Sequence, residues 1–414
     1  MKIKINDGEV EGFFADLHVH SRFSRACSKD LNLENIEQWA RIKGVDLMGT
    51  GDFSHPVWLQ ELKENLEDRG GLFYTKTGFR FLLTWEVSLM YTQGKGRRVH
   101  LVVLAPSFET VDKINFWLDT KGRRDYDGRP IFKISCEDFV AKMKSIDERI
   151  ECIPAHVWTP WFGVYGSDTG FDSLKEAFGS QLENIHAIET GISSTPEMNL
   201  KLKELQNICI VSFSDLHSYW PWRLGREATI FRSVNSYDEI LREIRENDIL
   251  GTVEVNPAYG KYHFDGHRNC DFSCSPEETK RLKEICPKCG KRLTVGVDYR
   301  VSVLGEIENP RSGKIVFEIL PLHELISSAL NCGIATKRVW DIYNPLIKKF
   351  ENEFNILLNV SEDELLKVAD KKIVNLIMLN RRGEIEVKPG YDGVYGVMIL
   401  PKESKKEIEQ KELF

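Results

Sequence analysis

Short apolar runs that end in His, Asp or Glu recur through roughly the first 255 residues of this 414-residue chain. FFADLHVH closes on His18 and His20, VDLMGTGD on Asp52 and FRFLLTWEV on Glu86. RVHLVVLAP carries His100, ECIPAHV holds His156, and ICIVSFSDLH finishes with Asp215 and His217. Between these runs lie stretches with helical patterning: ENIEQWARIKG, WLQELKENLED, CEDFVAKMKS, PEMNLKLKELQN and SYDEILREIREND. The alternation predicts an α/β fold of βα units around a parallel sheet or barrel. In such barrels the loops meet at the C-terminal ends of the strands, so residues two hundred positions apart converge on one face.

The spacing within the runs narrows the chemistry. A His-x-His pair on an extended strand puts both imidazoles on one side, because strand periodicity is two, and Asp215-x-His217 repeats that geometry. Imidazole and carboxylate together suit Zn, Mn or Fe, and a carboxylate such as Glu86 is able to bridge two ions. Such a centre activates water and clamps phosphoryl oxygens, so phosphoester hydrolysis is the expected reaction class. One strand-end histidine is more often a hydrogen-bonded structural residue, but seven or eight at equivalent positions argue for a shared site. His55, followed by Pro56, reads as a ligand or as a supporting residue behind the ligands. His186 and Glu189 read either as ligands or as residues that orient them.

In order, DLHVHS, GTGD, WEV, HLVVLAP, IPAHVW and FSDLHS resemble the motifs of the PHP (polymerase and histidinol phosphatase) superfamily over about residues 13 to 220. The resemblance implies a distorted seven-stranded βα barrel with a trinuclear metal site. It places His18, His20, Glu86 and Asp215 at a first metal, Glu86, His100 and His156 at a second, and Asp52 with His217 at a third. His18, His20, Glu86 and Asp215 would be the catalytic set. Two departures stand out. Thr50-Gly51-Asp52 replaces the T-D-H of many members, and Arg25 and Ala26 stand near the position of a further third-site ligand. Cys27 and Asp30 are the nearby candidates to replace it.

Around residues 256 to 305 the periodicity gives way to Gly, Pro, Cys and His. Of nine cysteines, Cys270, Cys274, Cys286 and Cys289 form a cluster with zinc-site spacing, CPKCG supplying the knuckle turn. A four-cysteine structural zinc unit is the expectation, with His263 and His267 close enough to compete for a ligand position. From 306 to 400 a mostly helical third domain is predicted, followed by a charged tail, 401 to 414. The amino end lacks the apolar core of a secretory signal, and no apolar run approaches the ~20 residues of a membrane span. A cytoplasmic location is therefore expected. The net charge of −7 argues against holding nucleic acid by bulk positive charge, although bound divalent metals would add local charge where a phosphate sits.

A zinc unit and a helical domain added to a phosphoesterase barrel point to a large substrate. The loop after His156 carries Trp158, Trp161, Phe162 and Tyr165, and the loop after His217 carries Tyr219, Trp220, Trp222, Arg223 and Arg226. Rings at such positions stack on bases at ~1–3 kcal/mol each or pack their own loop. With KGRR at 95–98 and again at 121–124, they favour DNA. DLHVHSRFSRACSKDLN, GTGDFSHP, IPAHVWTPWFG, FSDLHS and PGYDGVYG resemble the endonuclease Q family across nearly the whole chain. That resemblance implies metal-dependent incision of DNA on the 5′ side of uracil, hypoxanthine, xanthine or an abasic site, with the lesion nucleotide flipped into a pocket. A PHP phosphatase, or a 3′-to-5′ exonuclease without lesion specificity, is the alternative. The terminal QKELF, with Gln410, Leu413 and Phe414, resembles part of a sliding-clamp-binding peptide.

Overall fold

The computed structural model of the chain describes residues 1–5 and 8–399. The tail proposed to meet a sliding clamp, including Gln410, Leu413 and Phe414, lies outside the described residues. Among the described residues, no helix is long and apolar enough to cross a membrane.

The fold is mixed α/β. Its main sheet runs, in spatial order, Glu151–Pro154, Lys95–Ala105, Arg80–Gln93, Leu47–Gly49, Phe13–Asp16, Ala228–Phe231, Gly251–Glu254 and Ile315–Glu318. Phe13–Asp16, Leu47–Gly49 and Arg80–Gln93 pair in parallel, as βα units require. Elsewhere the all-parallel expectation is corrected: Arg80–Gln93 and Lys95–Ala105 form a long antiparallel hairpin, with Ser88 opposite His100. Both strands are buried through their middles, Arg80–Gln93 from Phe81 to Leu89, so they read as continuous apolar runs and hide their pairing direction. A separate parallel pair, Ala187–Glu189 with Cys209–Val211, completes the site-bearing strands. The His20 amide donates to the Leu216 carbonyl and the Leu216 amide to that of His18, joining the first strand's end to the end of Cys209–Val211.

Helices cover the sheet where the pattern predicts them. Leu33–Lys43 starts at Asn32, whose side chain accepts from the Asn35 amide, and stops at Gly44 in the left-handed region. Ser135 and Ser236 cap Cys136–Ile146 and Tyr237–Arg245 in the same way. The predicted helix at 196–207 is shorter. It splits into Pro196–Asn199 and a 3₁₀ turn, Lys203–Leu205. Asn199 is buried there, donating to Ser194 and to the Thr195 carbonyl and accepting from the Trp158 indole. This tertiary demand overrides local propensity.

The unit after residue 256 holds a hairpin, Asp265–His267 with Phe272–Cys274, and the helices Pro276–Leu282 and Val297–Leu304. The C-terminal region is only partly helical. Its strand Ile315–Glu318 extends the main sheet, and the hairpin Glu386–Lys388/Val397–Ile399 follows five helices between Leu322 and Arg381. A buried ion pair, Lys43 Nζ to Glu353 Oε1 at 2.6 Å, links it to the first helix, and the Tyr343 hydroxyl and Leu322 amide satisfy the same carboxylate. Paired charges this deep persist only with such additional hydrogen bonds.

Candidate metal centre

Two sets of side chains come together: His18, His20, His156 and Asp215 lie just past strand ends as expected, whereas Glu86 and His100 sit in the middle of Arg80–Gln93 and Lys95–Ala105. His18, His20, Glu86 and Asp215 offer ligand atoms within 4.8 Å of one another, and so do Glu86, His100 and His156. Glu86 belongs to both. Its Oε2 lies 3.4 Å from His18 Nε2 and 3.2 Å from His20 Nε2, while Oε1 lies 2.6 Å from His100 Nδ1 and 3.1 Å from His156 Nε2. Asp215 Oδ1 closes the first set at 3.1 Å from His20 Nε2.

Three of the four imidazoles are oriented from behind, and the fourth residue, His156, is held through its backbone amide, which donates to Glu189 Oε2 at 2.6 Å. His18 Nδ1 donates to Glu189 at 2.9 Å, and His20 Nδ1 donates to Asp52 Oδ1 at 3.1 Å. His100 Nε2 pairs with the Ser88 hydroxyl at 3.1 Å. A carboxylate behind a histidine fixes its tautomer and leaves the other nitrogen free to ligate. His18 Nε2 accordingly has no hydrogen-bond partner although it is buried. An unsatisfied buried nitrogen facing two carboxylates is what a cation site requires, and these donors suit divalent ions such as Zn, Mn or Fe.

Electrostatics point the same way. Burial alone would raise the Glu86 carboxyl, but Arg129, His100 and His18 hold it well below the usual carboxylate range. Asp215 is likewise held low against its burial by His217, His18 and His20. His20 is pushed up to about 10 because Asp215, Asp52 and Glu86 outweigh desolvation, whereas burial takes His100 down to about 4. The carboxylates are thus ionised and His100 is neutral at physiological pH, the forms in which both ligate, whereas His20 holds a proton among its carboxylates that a cation in the first set would displace.

Three site residues, Asp52, His156 and Asp215, have φ of 47°, 31° and 50°. Non-glycine residues in this region cost of order 1–3 kcal/mol each and persist only where their surroundings impose them. Gly51 supplies one such surrounding: it also has positive φ, and a Cβ there would meet the Val19 carbonyl oxygen at 2.4 Å. A bulkier residue would push apart the turns that carry His20 and Asp52.

The predicted third pair stands apart from both sets. Asp52 accepts from His20, from the Ser21 amide and hydroxyl, and from Ser24, so its oxygens are engaged in orienting neighbours. The His217 Nδ1–H donates to the Asp215 carbonyl, with its ring against His20. His55 packs flat on Phe23, and His186 pairs with Glu151. Within the stretch 24–30, Cys27 is half-buried and Asp30 exposed, and neither joins a ligand set among the described residues.

The aromatic loops divide. Trp158 is buried, stacked on Tyr165 and bonded to Asn199, so its ring is closed to a base. Phe162 lies flat on His100 at 4.4 Å, and Trp161 meets Tyr262 edge-on. Trp220 and Trp222 stack at 5.4 Å and join Trp39 and Trp340, while Tyr219 leans on Trp220. Arg226 donates to the Ser214 carbonyl, and Arg223 is half-buried nearby. Sequence reasoning missed Arg129, which reaches Glu86 from an ordinary-looking DGRP turn, and left the orienting role of Glu189 undecided.

The second metal group corrects the four-cysteine expectation. His267, Cys270, Cys286 and Cys289 converge, with His267 Nδ1 3.1 Å from Cys270 Sγ and 3.3 Å from Cys289 Sγ. Cys274 instead packs beside Cys286 and Leu293 with its thiol 3.2 Å from the Thr279 hydroxyl. Burial opposes ionisation of Cys286, yet the Lys288 and Cys289 amides and His267 bring its thiol down to about 7. A closed Cys/His tetrad is a structural zinc arrangement.

Residues 321–384 match the family described as the MJ0043 C-terminal domain. The uncharacterised protein MJ0043 of Methanocaldococcus jannaschii is 33% identical over 283 residues, 66% of this chain, and the match spans only about a third of that protein (34%). The uncharacterised YqxK of Bacillus subtilis is 26% identical over 94% of this chain and 99% of its own length. Among solved structures, the lesion-specific endonuclease PfuEndoQ from Pyrococcus furiosus matches with a TM-score of 0.85 and 29% identity over 96% of this chain and 98% of that one. An endonuclease Q in complex with a 27-mer duplex substrate, an abasic lesion at its active site, also matches with a TM-score of 0.85. Since that enzyme is 30% identical over 97% of this chain and 100% of its own, the chain belongs to the endonuclease Q family.

Proposed function

We propose that this chain is a metal-dependent DNA-repair endonuclease that hydrolyses the phosphodiester 5′ to a deaminated base (uracil, hypoxanthine or xanthine) or an abasic site. The observation that carries the reading is Glu86, which faces two sets of ligands drawn from five strands and the turns that follow them. Whole-length likeness to an endonuclease Q bound to lesion DNA supports the substrate class. We read the strands as a distorted PHP-type barrel, supported by the Val19–Leu216 bridge, with a Cys/His zinc unit at 256–305 and a C-terminal domain at 306–400.

His18, His20, Glu86 and Asp215 would hold one ion and Glu86, His100 and His156 another, with Asp52 and His217 beside them. Divalent ions bound there supply a water of lowered pKa and charge for the phosphoryl oxygens. The chain's own residues orient and exclude: Glu189, Asp52 and Ser88 fix the imidazoles of His18, His20 and His100, and burial keeps bulk water from Glu86 while Asp215 stays partly open to an incoming substrate. A flipped lesion nucleotide would enter beside Phe162 and the 219–226 loop, and the weaker pairing of deaminated bases lowers the cost of extrusion.

The test is a set of end-labelled duplexes, each with one uracil, hypoxanthine or abasic site, incubated with Mn or Mg. A single cut 5′ to the lesion, leaving a 3′-hydroxyl and a 5′-phosphate, is expected. His18→Ala should reduce it at least ~1000-fold, the scale at which catalytic machinery fails, with unchanged circular dichroism. Terminal nucleotide release, or hydrolysis of small phosphate esters alone, would instead establish the exonuclease or phosphatase reading.

A further inference from the structure

Among the described residues, one arginine or lysine pairs with a candidate ligand of the metal centre. Arg129 Nη1 donates to Glu86 Oε2 at 2.8 Å, the same oxygen that faces His18 and His20. Without metal the guanidinium helps hold Glu86 ionised; divalent ions in the two ligand sets would take over that task from both carboxylate oxygens and leave the guanidinium surplus. A surplus cation at this position has a purpose if another anion arrives. About a quarter of the Arg129 side chain (26%) stays exposed, so it is reachable from outside while Glu86 is not.

The turn that carries Arg129 is built to hold it there. The Gly128 carbonyl accepts from the Trp85 indole at 3.1 Å, and its amide donates to the Phe23 carbonyl at 3.1 Å. Asp127 Oδ1 accepts the Arg129 amide at 3.0 Å. A Cβ on Gly128 would lie 2.2 Å from Asp52 Oδ2 and 2.3 Å from Ser24 Oγ, so only glycine lets the turn approach this closely. On the far side, the Pro130 carbonyl accepts from the Ser88 amide, on the residue that orients His100. The arginine is thereby indexed to both ligand sets.

We propose that Arg129 binds the scissile phosphate, its guanidinium passing from Glu86 to a non-bridging phosphoryl oxygen when DNA reaches the metal centre. The proposal rests on the endonuclease reading above. Arginine suits the task because its planar fork matches phosphate geometry and its charge persists at every working pH. It transfers no proton; it adds fixed positive charge where phosphoryl charge develops, a contribution worth ~100-fold or more in kcat when one such donor is removed.

The experiment compares full-length wild type, Arg129→Gln and Arg129→Lys on an abasic-site duplex, with metal content measured on the same samples. Binding is followed in parallel by fluorescence anisotropy with calcium replacing manganese, across a salt series. Arg129→Gln should lower kcat ~100-fold with unchanged metal content, and the slope of log affinity against log salt should shrink by about one phosphate contact. Arg129→Lys should recover part of both losses. Wild-type kcat and salt slope in Arg129→Gln, or a loss of activity that follows metal loss, would overturn the proposal. Should Arg129→Gln fail to fold, Arg129→Lys decides alone: a ~10-fold fall in kcat with full metal content supports it, and an unchanged kcat overturns it. A wild type that leaves every lesion duplex intact overturns the endonuclease reading as well, whereas a wild type that cuts beside an equally active Arg129→Gln overturns only this inference.

Discussion

The two candidate metal groups of this chain are built in opposite ways. The tetrad of His267, Cys270, Cys286 and Cys289 comes from 23 consecutive positions, 267 to 289, in a unit whose own hydrophobic cluster is small. The His/carboxylate centre draws on residues from His18 to Asp215, and His18, His20 and His100 are each held by a buried partner on a distant part of the chain or on the neighbouring strand. In the first, a bound ion would organise the polypeptide; in the second, the folded polypeptide already holds the ligand side chains together. Local tetrads are structural because all four positions are taken, whereas Glu86, His100 and His156 supply only three donors to their set.

This contrast predicts different responses to damage. The largest is expected in the Cys/His unit: Cys286→Ser should unfold it locally, with the amides of Cys286 and Gly290 losing at least ~1000-fold of their hydrogen-exchange protection. Strands such as Arg80–Gln93 should keep theirs. His267→Ala should produce the same loss, while Cys274→Ala should cost only ~1–2 kcal/mol of packing; equal effects of the two would put Cys274 back among the ligands. The converse change is smaller. Glu189→Gln removes the carboxylate behind His18 and should lower metal affinity ~10–100-fold by calorimetry, with incision restored at saturating metal. Persistent inactivity at saturation would show that Glu189 does more than orient.

The smallest effect concerns the buried carboxyls beneath the centre. Burial raises Glu254 to about 8, and burial together with the charge of Glu254 holds Glu227 well above the usual carboxylate range. An acid whose folded-state pKa lies above its unfolded value of 4.5 holds a proton that the unfolded chain has released. Stability therefore falls as pH rises from about 4.5 through about 8. Glu254→Gln should flatten that slope in thermal melts and raise Tm at pH 9 relative to wild type. A slope left unchanged would mean that the carboxyl is already compensated.

Much of the centre was legible because His, Asp and Glu interrupt apolar runs, at their ends for His18, His20, His156 and Asp215 and within them for Glu86 and His100, and strand periodicity forces His18 and His20 onto one side. What stayed hidden depends on pairing and approach. A fully buried strand has the same composition in a parallel or antiparallel neighbourhood, so the hairpin of Arg80–Gln93 and Lys95–Ala105 was not visible. Cys274 satisfied a cysteine spacing that His267 satisfies in space. Trp158 and Trp222 share a sequence context of aromatic, proline and glycine, yet one is core and the other half-buried. Arg129 carries no signal at all, since its position follows from how closely Gly128 approaches Asp52.

The most direct measurement is metal content per chain together with incision of an abasic-site duplex, for wild type and Glu86→Ala. The account predicts that Glu86→Ala loses the ions of the His/carboxylate centre and all incision while retaining the zinc of the Cys/His tetrad and its fold. Undiminished incision by a Glu86→Ala chain, or metal content unchanged apart from the tetrad, would contradict the assignment of Glu86 as the residue shared by both ligand sets.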